Sequence, residues 1–469
     1  MPLIIGAKSA TATYTVDNSC RFNPGDDPTL TIASLGTPTD QNKWTFSAWV
    51  KRGKAAGYAI ESGVMRMYAD DNDCTTINVN GAGQMEFDNK VSSSFDGRRK
   101  TSAAYLDPAA WYHYVMVYDS DNVTGDDRMI TYVNGTRITA FDTDSDPGSG
   151  TQSGLGSGNT MTVGIGGASG TSEWGGYLAE VALCDGQAYA ASDFGEFDGD
   201  SPTIWKPKKI SGLTFGDNGF YLDFKDSADL GADVSGNSND FTVANLDATD
   251  QATDTPTNNF AVMNVLNPQA SGYTIENGNL SINGSATDTW RSVPATLGVS
   301  SGKWYWETEV TSNNTHIGMM DYDQVPQSNA YAYQYSRAYM YKDDGDKANN
   351  GVNTAYGDAF VTGDIIGVAL DLDNGKIYWS VDGVWQDSGD PESGATGTGS
   401  AFDITSGYTY TPISSTYEAA DVIAYNFGGC PAFTVSSGNA DGDGYGNFEY
   451  APPSGYYALC TKNLGAYGG

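Results

Sequence analysis

Histidine is almost missing from this chain of 469 residues, which contains 2. That scarcity leaves little room for imidazole-based catalysis or a histidine metal cage. Cysteine is nearly as rare, at 5. The thiols of Cys20, Cys74, Cys184, Cys430 and Cys460 are odd in number and widely spaced, without a C-x-x-C pair. They are expected to be buried free thiols, and a disulfide framework is not expected. Positive charge is also scarce: 24 basic residues face 58 acidic ones, for a formal net charge of −34. Such a surface repels phosphate backbones and anionic membranes, so no nucleic-acid partner and no membrane insertion are expected. No apolar run approaches the ~18 residues of a membrane-spanning helix. The leading Leu3–Ile5 is too short for the core of a signal peptide. Synthesis in a cytoplasm is the expectation. Neither G-x-x-x-x-G-K nor a strand–G-x-G-x-x-G–helix context occurs, so no phosphate loop is expected.

What the chain has instead is strands. Hydrophobic residues make up 39% and aromatics 12%, enough for packed cores, and glycine contributes 58 residues. Residues 44–50 alternate large apolar with small or polar side chains, the pattern of a half-buried strand. Residues 111–118 are almost continuously apolar and suit a strand between two layers. Residues 128–133 run into Asn134-Gly135, a strong two-residue hairpin signal. Residues 142–172, rich in Gly, Ser, Thr and Asp, read as a surface loop. One short helix is expected near Gln187–Phe194. Strands resume over 176–183 and 219–224, before a polar stretch read as a linker at 226–259.

The second half reads as a hairpin around Asn277-Gly278, then a strand at 302–310 with Trp304, Trp306, Thr308 and Val310 inward. Two strands within 367–381 meet at Asp373-Asn374-Gly375, and another strand covers 422–427. Tyrosines at 331, 333, 335, 339 and 341 share parity and are expected on one sheet face. Many short strands, Gly-rich turns and no βαβ alternation define the fold class as all-β. Two antiparallel β-sandwich (jelly-roll) domains are expected. The first covers 1–225 with a short N-terminal arm that docks on a neighbour. The polar linker 226–259 joins it to the second, 260–469, which has a C-terminal extension.

The residues Trp44–Lys51, Trp111-Tyr112-His113, Tyr132-Val133-Asn134-Gly135 and Gly176–Val181 resemble the laminin-G/concanavalin-A-like jelly-roll family over about 10–225. Ser301–Glu307, Gly363–Val368, Asp371-Leu372-Asp373 and Ile377–Gly383 resemble the SPRY family over about 260–435, with Asp382-Gly383 where Asn-Gly is common. The pairing resembles structural proteins of tailed bacteriophages, marine and cyanobacterial ones in particular. Ser19–Asn23, Trp49–Gly53 and Val234–Asn237 are blocks of that kind. The resemblance implies a virion surface protein of tail or capsid, made in the host cytoplasm. Its implied partners are other virion proteins, further copies of itself (a trimer favoured) and a host-surface glycan or protein. Two alternatives stand beside this reading: a decoration or tail-structural role without a receptor, and a polysaccharide-degrading enzyme.

The enzyme alternative needs paired carboxylates across a cleft. Glu196-Phe197-Asp198 supplies half of an E-x-D-x-x-E pattern, but Ser201 stands at the closing position. Glu307 and Glu309 read as a solvated strand face, and His113 as a core histidine. No catalytic residue is assigned. No cofactor is required, and Ca²⁺ is the ion that lectin-type rim loops admit. Asp70, Asp71 and Asp73 are its candidate ligands, with Asp343–Asp346 and Asp441–Asp443 as further acidic turns. The ligand-contact candidates are Tyr322, Tyr331, Tyr333, Trp385 and Tyr417, aromatics that can stack on sugars or pack on a peptide.

Overall fold

The computed structural model describes residues 4–5, 14–53, 62–166, 172–266, 273–284, 289–311, 314–326 and 330–468. It divides into two compact units, one of residues 10–257 and one of residues 258–469 together with 1–9. Both are antiparallel β-sandwiches.

In the first unit, the long strands Lys43–Arg52, Trp111–Asp119 and Gly176–Asp185 form the middle of one eight-stranded sheet. Alternation sends Trp44, Phe46, Ala48 and Val50 inward, where they meet Met65, Ile77 and Phe87 of the opposite sheet. The other face of this sheet is covered as well. Val115, Val117, Ala182 and Cys184 pack beneath Phe194 and Trp205 of the following segment. Strand 43–52 is therefore buried on both faces, beyond the half-burial that its pattern suggests. The hairpin at Asn134-Gly135 forms with φ of 47° and 74°, both positive as the turn requires. Gly135 is also needed for space, because a Cβ there would lie 2.3 Å from the Trp205 ring.

The second sheet of this unit runs Phe141–Ser145, Ser94–Ala104, Gln84–Val91, Cys74–Val79, Ser62–Tyr68, Thr160–Val163, Thr29–Ile32 and Thr242–Ala244. Two expectations change here. Residues 142–172 are not wholly loop: Phe141–Ser145 edges the sheet and Thr160–Val163 lies inside it, with Met161 and Val163 in the core. The stretch 226–259 also carries structure. Thr242–Ala244 pairs with Thr29–Ile32, and Gln251–Ala252 pairs with Ser19–Phe22. A polar sequence completes these sheet edges because backbone groups, not side chains, supply the ladder. Between Gln187 and Phe194 only a single 3₁₀ turn, Ala191–Asp193, forms. All five cysteines are buried free thiols.

In the second unit, a nine-stranded sheet centres on Lys303–Val310, flanked by Val422–Asn426 and Ile365–Asp371. The opposing six-stranded sheet runs Arg291–Pro294, Tyr410–Thr416, Thr315–Asp321, Ala338–Lys342, Asp346–Asn349 and Val352–Ala355. The short strand Ile4–Ile5 pairs in parallel with Leu297–Gly298 of the same unit. Trp304 and Trp306 are buried, and so is the alternate face of their strand. There Tyr305 packs against Phe260, Phe448, Tyr456 and Ala458 from the segments that flank the sandwich.

Candidate functional site

The arrangement with most recognition chemistry sits on the outer face of the six-stranded sheet. In Thr315–Asp321, alternation directs Ile317 and Met319 inward and His316 and Met320 outward. Register places His316 between Ser415 and Lys342 of the neighbouring strands. A segment crossing this face contains the 3₁₀ turn Ala332–Gln334. Two serines hold it down: the Ser292 and Ser415 hydroxyls lie 2.8 Å apart, Ser292 Oγ donates to the Ala330 carbonyl at 2.8 Å, and Ala332 N–H donates to Ser415 Oγ at 3.4 Å.

That anchoring brings five rings together. Trp290 stacks on His316 at 4.1 Å between centroids, meets Tyr331 edge-on at 5.4 Å and Tyr417 at 5.1 Å. Tyr331 and Tyr333 stack at 4.7 Å and 13°, and Tyr333 meets His316 at 5.3 Å. Trp290, Tyr331, Tyr333 and Tyr417 are half-buried, whereas His316 is 2% exposed. Burial, helped by the Lys342 charge, lowers the His316 pKa to about 3, so the ring is neutral. Its Nδ1 has no hydrogen-bond partner among the described residues. The Lys342–Asp344 ion pair, at 2.7 Å, borders the patch. Half-exposed aromatic faces beside a donor and an acceptor can hold the apolar face of a sugar ring and its hydroxyls.

The structure thus joins Tyr331, Tyr333 and Tyr417 in one patch. Tyr322 packs on the outer-face cluster of Met320, Val325 and Met340, which also carries Tyr333. Trp385 belongs to the other sheet, where it packs on the cluster around Tyr305 and Phe448. The shared-parity reading of the tyrosines needs correction: Tyr339 and Tyr341 are buried strand residues, while Tyr331, Tyr333 and Tyr335 belong to the crossing segment. Parity carries no facing information once the chain leaves the strand. Trp290 and His316 were not among the sequence candidates. The available signal was a tryptophan immediately before the strand Arg291–Pro294.

The other candidates have structural partners. Asp70 Oδ1 accepts from the backbone N–H groups of Asn72 at 2.7 Å and Asp73 at 3.1 Å. Asp71 pairs with Arg66 at 2.8 Å, and Asp73 Oδ1 accepts from Ser92 N–H at 2.8 Å. Among the described residues, no group of three or more His, Cys, Asp or Glu side chains is placed to hold a metal. Asp441 closes a turn: it accepts from the N–H groups of Asp443 and Tyr445 and from Ala458 N–H, each at 2.9 Å.

Glu307, expected on a solvated face, is fully buried. It accepts from Tyr305 Oη at 2.9 Å, Asn426 Nδ2 at 3.2 Å, and the N–H groups of Glu449 at 2.9 Å and Tyr450 at 2.8 Å. Desolvation raises its pKa, and those donors oppose the rise. It is a clamp for the segment that covers the sheet. His113 is the core histidine expected: Trp205 Nε1 donates to its Nδ1 at 3.0 Å, and Ser47 Oγ lies 2.9 Å from its Nε2. Glu196 and Asp198 both pair with Lys206, at 3.6 and 3.1 Å.

Residues 24–191 match the family model described as the concanavalin A-like lectin/glucanases superfamily, and residues 303–407 match the SPRY domain. Both domains are present in this chain. No curated protein sequence matches it. Among solved structures, the SPRY domain of human HERC1 is similar at 19% identity and a TM-score of 0.27, over 34% of this chain and 94% of that one. The heptameric SAP-like pentraxin of Limulus polyphemus is similar at 19% identity and a TM-score of 0.29, over 38% and 80%. The TRIM65 PSpry domain is similar at 12% identity and a TM-score of 0.28, over 35% and 91%.

Proposed function

We propose that this chain, which pairs a concanavalin A-like domain with a SPRY domain, is a non-catalytic recognition protein on the surface of a tailed-phage virion. It engages a host-surface glycan through the patch of Trp290, Tyr331, Tyr333 and Tyr417. The observation that carries this reading is that the patch is built and left half-open. Two serines fix the crossing segment, and the rings are arranged before any ligand arrives. A sugar then finds its stacking surface without the cost of ordering it. Domains of these two types are generally binding modules, and Glu307 and Asp198 are occupied by structural partners. The −34 charge suits an exposed particle component in salty water, where repulsion is screened. Each contact is weak. Assembly with other virion proteins in repeated copies, a trimer in our reading, supplies avidity of about 10²–10⁴ over a single site.

The test is competition. Purified protein at saturation should slow phage adsorption to its host, and Trp290→Ala protein should not. Adsorption unaffected by the wild-type protein would sink the receptor reading and favour a decorating or tail-structural role.

A further inference from the structure

One side-chain pair in the concanavalin A-like unit has the geometry of two reactants. Lys51 lies on the strand Lys43–Arg52, on the face opposite Ala48 and Val50. Register sets it between Tyr177 on one neighbouring strand and Trp111 on the other. These rings wall the amine in. The Tyr177 centroid is 5.7 Å from Nζ and 6.3 Å from that of Trp111. At the side chain Lys51 is 0% exposed and Asp254 2%, and Nζ and Oδ2 are 2.6 Å apart.

Both partners are fixed by their backbones. Lys51 sits in the ladder of a central strand. Asp254 follows Gln251–Ala252, which pairs with Ser19–Phe22, and its carbonyl accepts from Ser19 Oγ at 2.6 Å. Three residues on, Thr257 Oγ1 donates to the Val16 carbonyl at 3.0 Å and accepts from Val16 N–H at 3.1 Å. The carboxyl group therefore cannot swing away from the amine. Held reactants of this kind can reach effective concentrations of about 10⁵–10⁸ M.

The surroundings favour the reactive protonation state. Burial lowers the Lys51 pKa, against the attraction of Asp254 and of Asp107, the other carboxylate whose charge acts on it. Passage of the ammonium proton to the carboxylate leaves a neutral, nucleophilic amine beside a neutral carboxylic acid. Trp111 Nε1 donates to Asp254 Oδ1 at 3.0 Å, so the indole faces the oxygen that is not in contact with the amine. Negative charge that develops on Oδ1 during attack at Cγ meets that donor already in place.

We infer that Lys51 and Asp254 condense, after folding, into a side-chain amide that clamps the first unit. The step balances within the pair. One ammonium proton passes to Oδ2, and the nitrogen lone pair attacks Cγ. A second nitrogen proton then moves to Oδ2, the Cγ–Oδ2 bond breaks and water leaves. One C–N bond forms, one C–O bond breaks, and nothing is oxidised or reduced. The amide keeps one N–H and Oδ1. It joins residues 203 apart in sequence, the middle of a sheet to the last segment of the unit. The unfolded chain then loses the freedom of a long loop. Freshly made protein carries the ion pair, whose energetics are those of two buried charges, and aged protein carries the bond. The inference is independent of the recognition reading above.

The test is the intact mass of the full chain, followed while folded protein is incubated until the mass is constant. Wild-type protein should become lighter by one water. Proteolysis and tandem mass spectrometry should then give the Lys51 and Asp254 peptides as one linked species. The double variant Lys51→Met/Asp254→Leu, which buries no charge, should keep its sequence mass. The condensed form should melt about 10 °C or more above the fresh form. Equal melting of the two forms would remove the clamping role. A wild-type mass that stays at the sequence value overturns the bond. So does a lost water that maps to a succinimide at an Asp-Gly step such as Asp382-Gly383, with Lys51 and Asp254 unlinked.

Discussion

Replacing Asp254 by alanine tests whether the first unit is as closed as described. Lys51 is 0% exposed and Asp254 2% at the side chain, with Nζ and Oδ2 2.6 Å apart. The other carboxylate oxygen, Oδ1, accepts from Trp111 Nε1 at 3.0 Å. The Tyr177 ring centroid lies 5.7 Å from the ammonium. Burial already lowers the Lys51 pKa against the attraction of Asp254. Removing the carboxylate leaves a buried cation, which costs about 3–5 kcal/mol. An orphaned indole N–H belongs to the same loss and is not additive to it. For a unit of residues 10–257, about 2–4 °C per kcal/mol applies, so the melting temperature falls by about 6–20 °C. The sign with pH follows from the lowered lysine pKa. The unfolded chain binds the proton more tightly, so stability falls as pH drops below the unfolded lysine value of about 10.4. The variant deepens that dependence, and its deficit shrinks in alkaline buffer. The double variant Lys51→Met/Asp254→Leu should recover most of the loss, because no uncompensated charge remains. Scanning calorimetry of the full chain at several pH values measures all three. A loss under about 1 kcal/mol for Asp254→Ala at neutral pH would refute the reasoning.

Four further outcomes are expected. Burial raises the Glu180 pKa to about 7 from 4.5, against hydrogen bonds from Tyr221 at 2.7 Å and Tyr14 at 3.1 Å. The folded state therefore binds the proton more tightly, so this contribution is full below about 4.5 and is lost as pH rises through 7. Glu180→Gln should flatten the stability profile over that window, as read by urea titration. His113 and His316, each lowered to about 3, should show no ring titration by NMR from pH 5 to 8. Their contribution is full above about 6.5 and is lost as pH falls toward 3. Glu307→Ala should destabilise by about 3 kcal/mol or more in urea unfolding, since it strands four donors in a dry site. Ser292→Ala should weaken glycan binding severalfold with little change in melting temperature, because it loosens the segment under Tyr331.

Legibility followed distance along the chain. The turn at Asn134-Gly135 was readable because its cause, two positive φ angles, lies within two residues. The strands at 43–52 and 303–310 were readable from alternation, but their second buried face was not. That burial comes from Phe194 and Trp205 in one case and Phe448 and Tyr456 in the other. Thr160–Val163 was hidden for the same reason, since its polar letters resemble a loop until Thr29–Ile32 and Ser62–Tyr68 close around it. Of the patch, residue type alone found Tyr331, Tyr333 and Tyr417. Trp290 and His316 needed the sheet register that brings strands 291–294 and 315–321 to either side of Tyr410–Thr416.

The Glu307 clamp also has a consequence in time. Its backbone donors at Glu449 and Tyr450 lie 142 and 143 residues further on. At about 5–20 residues per second of synthesis, the carboxylate waits about 7–30 s before those donors exist. For that interval strand 303–310 presents one uncovered face, with Tyr305 and the Glu307 carboxylate, to water and to chaperones. The SPRY unit is therefore finished only after Glu449 and Tyr450 have been made. While it waits, Glu307 is solvated and charged, which keeps an aromatic strand from pairing with its nascent copies.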